Sequence, residues 1–147
     1  MKLKIPPVGV FALFAALMWI IERHVSVIRF RSLLMAGALI LIGGGVALAG
    51  VVAFRKARTT VNPYKIEDCN ELVTSGIYAL SRNPMYLGMA IILGGWGFWL
   101  GEMLTLLGVA GFMVCMTYFQ IRPEEEVLTA KFGKSFEEYC QKTGRWI

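Results

Sequence analysis

The sequence predicts an all-α integral membrane protein, with four transmembrane helices followed by short cytoplasmic helices at the C-terminal end. Two observations lead there. Of 147 residues, 56% are hydrophobic and 17% charged, against roughly half and a quarter in soluble domains. The apolar residues also arrive in four blocks rather than along one face of each element. A disordered chain is excluded, because such chains lack apolar residues. The length suits one domain, residues 1–147.

The first block covers residues 5–21, the second 33–54, the third 85–100 and the fourth 103–121. A helix needs about 20 apolar residues to cross a bilayer core, with roughly 17 as the lower limit. The second and fourth blocks qualify outright. The first and third are short and need flanking residues or local thinning. Only Gly101 and Glu102 separate the last two blocks, which predicts a tight helical hairpin. Lys2 and Lys4 ahead of an apolar run mimic a secretory signal. No small-x-small cleavage site follows, and the run ends in Trp19-Ile20-Ile21-Glu22-Arg23-His24, so a retained anchor is expected.

Four spans sort the fifteen Lys and Arg residues into two groups. Twelve fall with the two termini and the central loop 55–84; Arg23, Arg29 and Arg31 fall on the other side. Both termini are therefore expected in the cytoplasm. The net charge of +5 is read as a topology signal rather than a nucleic-acid footprint, and a basic surface also suits anionic lipid. Cys69, Cys115 and Cys140 have no CxxC spacing and the chain has one histidine, so neither a metal site nor a disulfide framework is expected.

The loop 55–84 and the tail 122–147 are the places for chemistry. In the loop, Asn62-Pro63 and Ser75-Gly76 mark turns, while Val73–Leu80 is too short and irregular to assign. Asn83-Pro84 puts Pro84 at the first position of the third span. In the tail, Pro123 marks a helix start, and Glu124, Glu125 and Glu126 suit the positive end of its dipole. Gly133 ends that helix in a left-handed cap. Ser135-Phe136-Glu137-Glu138 matches a capping box for a second helix running to about Lys142, with Phe136, Tyr139 and Cys140 on one face. Taken alone, the three glutamates are a solvated first turn; their place against a membrane span keeps a functional role open.

Gly97 and Gly101 have GxxxG spacing, and Gly43, Gly44, Gly45 and Gly50 thin the second helix. Close helix packing explains them best, with room for a ligand as the alternative. GxxxG spacing serves internal packing as readily as a dimer, so the oligomeric state stays open. Trp19, Trp96 and Trp99 fit interface anchors, and Glu22 is expected to pair with Arg23.

Two motifs carry a resemblance. Gly76-Ile77-Tyr78 followed by Arg82-Asn83-Pro84-Met85-Tyr86 resembles the Gly-x-Tyr … Arg-His-Pro-x-Tyr signature of isoprenylcysteine carboxyl methyltransferases and related phospholipid methyltransferases. Glu124-Glu125-x-x-Leu128, then Phe132-Gly133 and Tyr139, resembles the C-terminal signature of the same group. The two occur in the right order with a two-span hairpin between them, over about residues 59–147. Asn83 stands in place of the usual histidine, Phe136 in place of a tyrosine, and Thr143-Gly144 in place of Val-Pro before Arg145.

The resemblance implies an S-adenosylmethionine-dependent methyltransferase, releasing S-adenosylhomocysteine, with a lipid or prenylated substrate entering from the bilayer. It places Arg82, Asn83, Pro84 and Tyr86 on a first cofactor motif, Glu124 and Glu125 on a second, and Arg145 beside Arg82 as a candidate for holding a substrate carboxylate. Carboxylates suit ribose hydroxyls and an ammonium group, arginine suits a carboxylate, and Tyr78, Tyr86 or Phe119 offers an aromatic face to a sulfonium. Arg82, Glu125 and Arg145 are the expected catalytic group. Carboxyl O-methylation of an isoprenylcysteine-like acceptor is the leading expectation, and N-methylation of a phospholipid amine, with one of the glutamates as base, is the alternative. A small four-span transporter or structural subunit is the rival of another class.

Overall fold

The computed structural model describes residues 6–25, 27–56 and 72–147. Asn62-Pro63, Cys69, Lys2, Lys4, Arg58 and Lys65 lie outside these residues. The described chain is helical: α1 Pro7–His24, α2 Leu33–Lys56, α3 Pro84–Leu100, α4 Leu106–Met116, α5 Arg122–Phe132 and α6 Lys134–Lys142. Gly76–Ala79, left unassigned by the sequence, forms a 3-10 turn. A single antiparallel bridge, Arg29 to Glu102, is the only strand-like pairing among the described residues.

Local chemistry explains the boundaries. Pro7 and Pro84 begin α1 and α3, where a missing N–H costs nothing. Ser32 accepts the amide of Met35 through Oγ at 3.3 Å and so caps α2. Gly101, at φ 80° and ψ 21°, ends α3 in the left-handed conformation that glycine adopts without strain.

Among the described residues, three helices are long and apolar enough to cross a membrane: Pro7–His24, Leu33–Lys56 and the continuous run Met103–Phe132. The expectation of four is met only in part. The third block gives a helix of 17 residues, about 25 Å long, because Asn83-Pro84 and Gly101 stop it at both ends. Many large apolar side chains face outward, Leu34 at 87% exposure and Leu41 at 79% among them. Such a surface would be a liability in water and suits hydrocarbon.

Glycines set the closest packing. A Cβ at Gly88 would lie 2.5 Å from the Gly43 carbonyl oxygen, and one at Gly95 would lie 2.9 Å from that of Ala36. The backbones of α2 and α3 therefore touch along an antiparallel seam of small residues. The Gly97–Gly101 spacing has a different meaning from the one expected. Gly97 makes room for Met18 and Thr105, while Gly101 is the cap. On the other flank of α3, α1 and α4 close a core of Met18, Leu93, Phe112 and Met116. Phe11 and Phe14 meet the Phe112 ring edge to face.

The end away from the tail is tied by Glu102. Its carboxylate accepts the amides of Val27 at 3.0 Å and Ile28 at 3.3 Å, pinning the α1–α2 connection to the α3–α4 hairpin. Burial pushes this carboxyl up, but those amides outweigh it and hold the group below its usual range. Trp19 and Trp99 lie half exposed at this end beneath Arg23 and Arg31, and Glu22 meets Arg23 at 3.9 Å. Trp96 is no anchor: it packs against the core and donates its indole N–H to the Ala15 carbonyl at 3.1 Å.

The tail differs from expectation where Pro123 was to start a helix. The chain stays helical from α4 into α5 through a π turn, Thr117–Ile121. The wider turn accommodates the proline, which lacks the N–H an α-helical ladder would need. No helix N-terminus therefore stands beneath Glu124 and Glu125. Gly133 does end α5 at positive φ (52°), but with ψ −125° rather than a left-handed cap, and it also precedes α6. Ser135 lies inside α6, so the capping box does not form, although α6 ends at Lys142 as the sequence predicts.

Candidate functional site

The two motif segments meet at the end of the bundle where α2 finishes, α3 begins and α4 passes into α5. The 3-10 turn carries Tyr78, whose ring meets Phe54 of α2 at 5.0 Å between centroids. Phe136 and Tyr139 are the buried residues of α6, so its amphipathic face docks on this turn. The Tyr139 hydroxyl donates to the Tyr78 carbonyl at 2.6 Å. Burial raises the Tyr139 phenol well above its ordinary range, although Arg82 nearby opposes the shift, so it stays a donor.

Glu125 is the hub. Arg145 donates to it twice, Nε to Oε1 at 3.0 Å and Nη2 to Oε2 at 2.6 Å. This is the bidentate fork that makes arginine–carboxylate pairs strong. Arg82 Nη1 reaches Oε1 at 3.1 Å and also touches the Cys140 thiol. Hydrogen bonding to Glu125 keeps the Arg145 guanidinium firmly charged, whereas burial pushes the Cys140 thiol up and leaves it protonated. Arg82 Nε is buried without an acceptor among the described residues.

Glu124 lies one residue away in different surroundings. Tyr86 Oη donates to its Oε1 at 2.7 Å, and Gln120 Nε2 donates to the same oxygen at 2.5 Å. Burial outweighs these two bonds, with the Glu125 charge adding to it, and the carboxyl is pushed up to about 7. Adjacent carboxyl groups thus differ in character: Glu125 is engaged by two cations, and Glu124 is poised near neutrality.

A C-terminal strap closes this arrangement. The Arg82 amide donates to the Gly144 carbonyl at 3.0 Å, Asn83 Nδ2 to the Arg145 carbonyl at 2.9 Å, and Trp146 Nε1 to Thr117 Oγ1 at 3.1 Å. A Cβ at Gly144 would collide with the Ile147 backbone, so the chain's fold-back here needs glycine. The Thr143-Gly144 departure from the family pattern therefore still brings Arg145 onto Glu125.

The cleft between these parts is lined by Phe54, Leu72, Tyr78, Arg82, Glu124 and Tyr139, with Val73, Asn83, Glu125, Leu128 and Phe136 completing it. Its walls offer a cation, two carboxyl groups, aromatic faces and aliphatic contacts to one ligand. Of the residues singled out in the sequence, Tyr78, Arg82, Asn83, Glu124 and Glu125 line it. Tyr86 stands behind Glu124, Arg145 stands behind Glu125, and Pro84 is buried at the start of α3. Glu126 lines an outer groove with Arg122 and Thr129, which Glu125 also borders. Phe119 is half exposed and outside the cleft. Gln120 and Trp146 were missed. Gln120 is the one amide inside the fourth apolar block, a signal that was there to be used, since a polar side chain within a span is rarely idle.

The sequence profile of the phospholipid methyltransferase family matches residues 31–135. This stretch holds α2 through α5 and all of the first motif, and the chain belongs to that family. Similar proteins include a probable protein-S-isoprenylcysteine O-methyltransferase of Oryza sativa subsp. indica, 34% identical over 108 residues, which are 71% of this chain and 54% of the relative. The protein-S-isoprenylcysteine O-methyltransferase of Schizosaccharomyces pombe is 38% identical over 73 residues, 48% of this chain and 30% of the relative. A short protein of Haemophilus influenzae is 44% identical over 63 residues, 43% of this chain and the whole of the relative. The chain thus spans about half the length of the rice relative and under a third of the yeast one. No solved structure matches it. The family and the relatives' names indicate a methyltransferase.

Proposed function

We propose that this chain is an S-adenosylmethionine-dependent methyltransferase that acts at a membrane face on a lipophilic acceptor, most simply the carboxylate of an isoprenylcysteine-like molecule. The observation that carries the reading is the Arg82–Glu125–Arg145 cluster with Glu124 beside it, joining both motif segments at the polar end of an apolar bundle. In this reading all four apolar helices span the bilayer, with the termini and the cleft on the cytoplasmic side.

The cleft residues fit the cofactor chemically. Arg82 Nε, buried and without an acceptor among the described residues, suits a carboxylate. Glu124 and Glu125 suit hydroxyl and ammonium donors, and Tyr78 with Phe54 and Phe136 supplies flat faces. The bound cofactor would supply an electrophilic methyl group on a sulfonium. The chain's part is then to position donor and acceptor and to keep water out. The strap contributes to both, because it covers Glu125 and holds Arg145 on it. A carboxylate acceptor needs no base. Since Arg145 already spends its fork on Glu125, Arg82 is the guanidinium left to meet a carboxylate, that of the cofactor or that of the acceptor.

One observation favours phospholipid N-methylation as a second reading. Glu124, pushed up to about 7, is suited to take a proton from an ammonium acceptor. Calorimetric titration of the protein in nanodiscs with S-adenosylhomocysteine tests the enzyme reading. Saturable binding is expected, and none would return the transporter or structural-subunit reading. Labelled cofactor, supplied with prenylcysteine acids and with phospholipid amines in separate reactions, distinguishes the two acceptors.

A further inference from the structure

Gln120 sits in the π turn between the last apolar helix and the tail, and its residue surface is 5% exposed. Its amide donates to Glu124 Oε1 while its own carbonyl, Oε1, is buried with no partner among the described residues. A buried amide that leaves its acceptor unmade has given up one hydrogen bond to make another, so the bond to Glu124 governs its orientation. Tyr86 donates to that same oxygen of Glu124 from α3. Two donors on one oxygen fix the carboxyl, Oε2 has no hydrogen bond among the described residues, and Glu124 lines the cleft. Packing needs nothing of the kind, since an apolar side chain would fill the same volume without an orphaned oxygen.

We propose that Gln120 is a positioning residue of the methyl-transfer site. Together with Tyr86 it clamps Oε1 of Glu124, so that Oε2 is presented to a hydrogen-bond donor of the ligand, a hydroxyl or an ammonium. This rests on the functional reading above and adds to it a residue that neither motif contains. The clamp also bears on charge, because an amide N–H stabilises the carboxylate over the acid. The ionisable groups around Glu124 are Tyr86 on α3, Glu125 beside it on α5, and Tyr78, Arg82 and Tyr139 from the other walls of the cleft. Of these, Tyr86 alone shares the bonded oxygen with Gln120. Removing the amide therefore leaves Glu124 harder to ionise, and donor binding at Oε2 is then lost at a higher pH.

The test compares the full chain with its Gln120→Met and Gln120→Glu variants in nanodiscs. Affinity for S-adenosylhomocysteine is measured by calorimetry from pH 6 to 8.5, and the Glu124 side-chain carboxyl carbon is followed by NMR in glutamate-labelled protein. For Gln120→Met, the expected outcome is a loss of affinity of about tenfold at pH 7, with the Glu124 titration and the acid limb of binding both moved to higher pH. Gln120→Glu, which sets a second carboxyl against the first, moves them further in the same direction. Unchanged titration of Glu124 in both variants overturns the proposal, as does an affinity loss that is equal at every pH. If the wild-type chain binds no S-adenosylhomocysteine, the cofactor reading fails, and the NMR titration still decides whether Gln120 governs Glu124.

Discussion

Glu125→Gln is the sharpest perturbation of the cluster. The carboxylate takes two bonds from Arg145, at 3.0 and 2.6 Å, and one from Arg82 at 3.1 Å. An amide keeps one acceptor and turns its N–H2 toward a guanidinium, so at least one charge-assisted bond disappears and two cations lose their counter-charge. A hydrogen bond to a charged group contributes about 1.5–3 kcal/mol, and breaking a buried ion pair on one side costs about 3–5 kcal/mol. The Arg145 side chain is 34% exposed against 17% for Glu125, so solvent screens part of the interaction and about 2 kcal/mol is expected. That corresponds to a shift of roughly 30-fold toward a released strap. Hydrogen exchange over residues 143–147, measured alongside S-adenosylhomocysteine affinity, reads both consequences. Exchange there should quicken by roughly that factor and affinity should fall at least tenfold or so, with protection in α1 to α3 unchanged. Normal strap exchange together with normal affinity would refute the placement of Glu125 at the hub.

Arg82→Ala removes the cleft's buried guanidinium and should abolish cofactor binding in a filter assay while circular dichroism stays helical; normal turnover would sink its assignment. Gly88→Ala places a methyl group against the Gly43 carbonyl and should destabilise the α2–α3 seam by about 1–3 kcal/mol. Gly44→Ala, which meets open space, should leave the melting temperature unchanged or raise it slightly. Glu124 is raised from an ordinary 4.5 to about 7, so between those values the folded state binds more protons than the unfolded one. Its contribution to stability is full below pH 4.5 and is lost as pH rises through 7. Glu124→Gln should therefore flatten the fall in melting temperature from pH 5 to pH 8, and an unchanged slope would show that the carboxyl is not buried as described.

The all-α character and the boundaries of α2 and α3 were legible because they depend on local physics. Apolar runs, Pro84 at a first helical position and the Gly101-Glu102 break between two blocks need no knowledge of neighbours. The tail was harder. Pro123 reads as a helix start on local grounds, yet α4 passes through it by widening into a π turn, and that choice depends on what Gln120 and Thr117 meet. Gly133 and Ser135 show the same limit, since either can precede a helix and only docking of Phe136 and Tyr139 selects the register.

By itself, the sequence determined the helical class, the apolar blocks and the family, because composition, block length and motif order are properties of the chain alone. The tertiary structure decided which charges meet. Arg82, Glu125 and Arg145 are far apart in sequence, and nothing along the chain says that both arginines would converge on one carboxylate. Nor does it say that Glu124 would be buried against Tyr86 and Gln120 instead of being solvated beside its neighbour. Burial and partner geometry set the charge and reach of an ionisable group, and both exist only once the strap and α6 have closed over the end of the bundle.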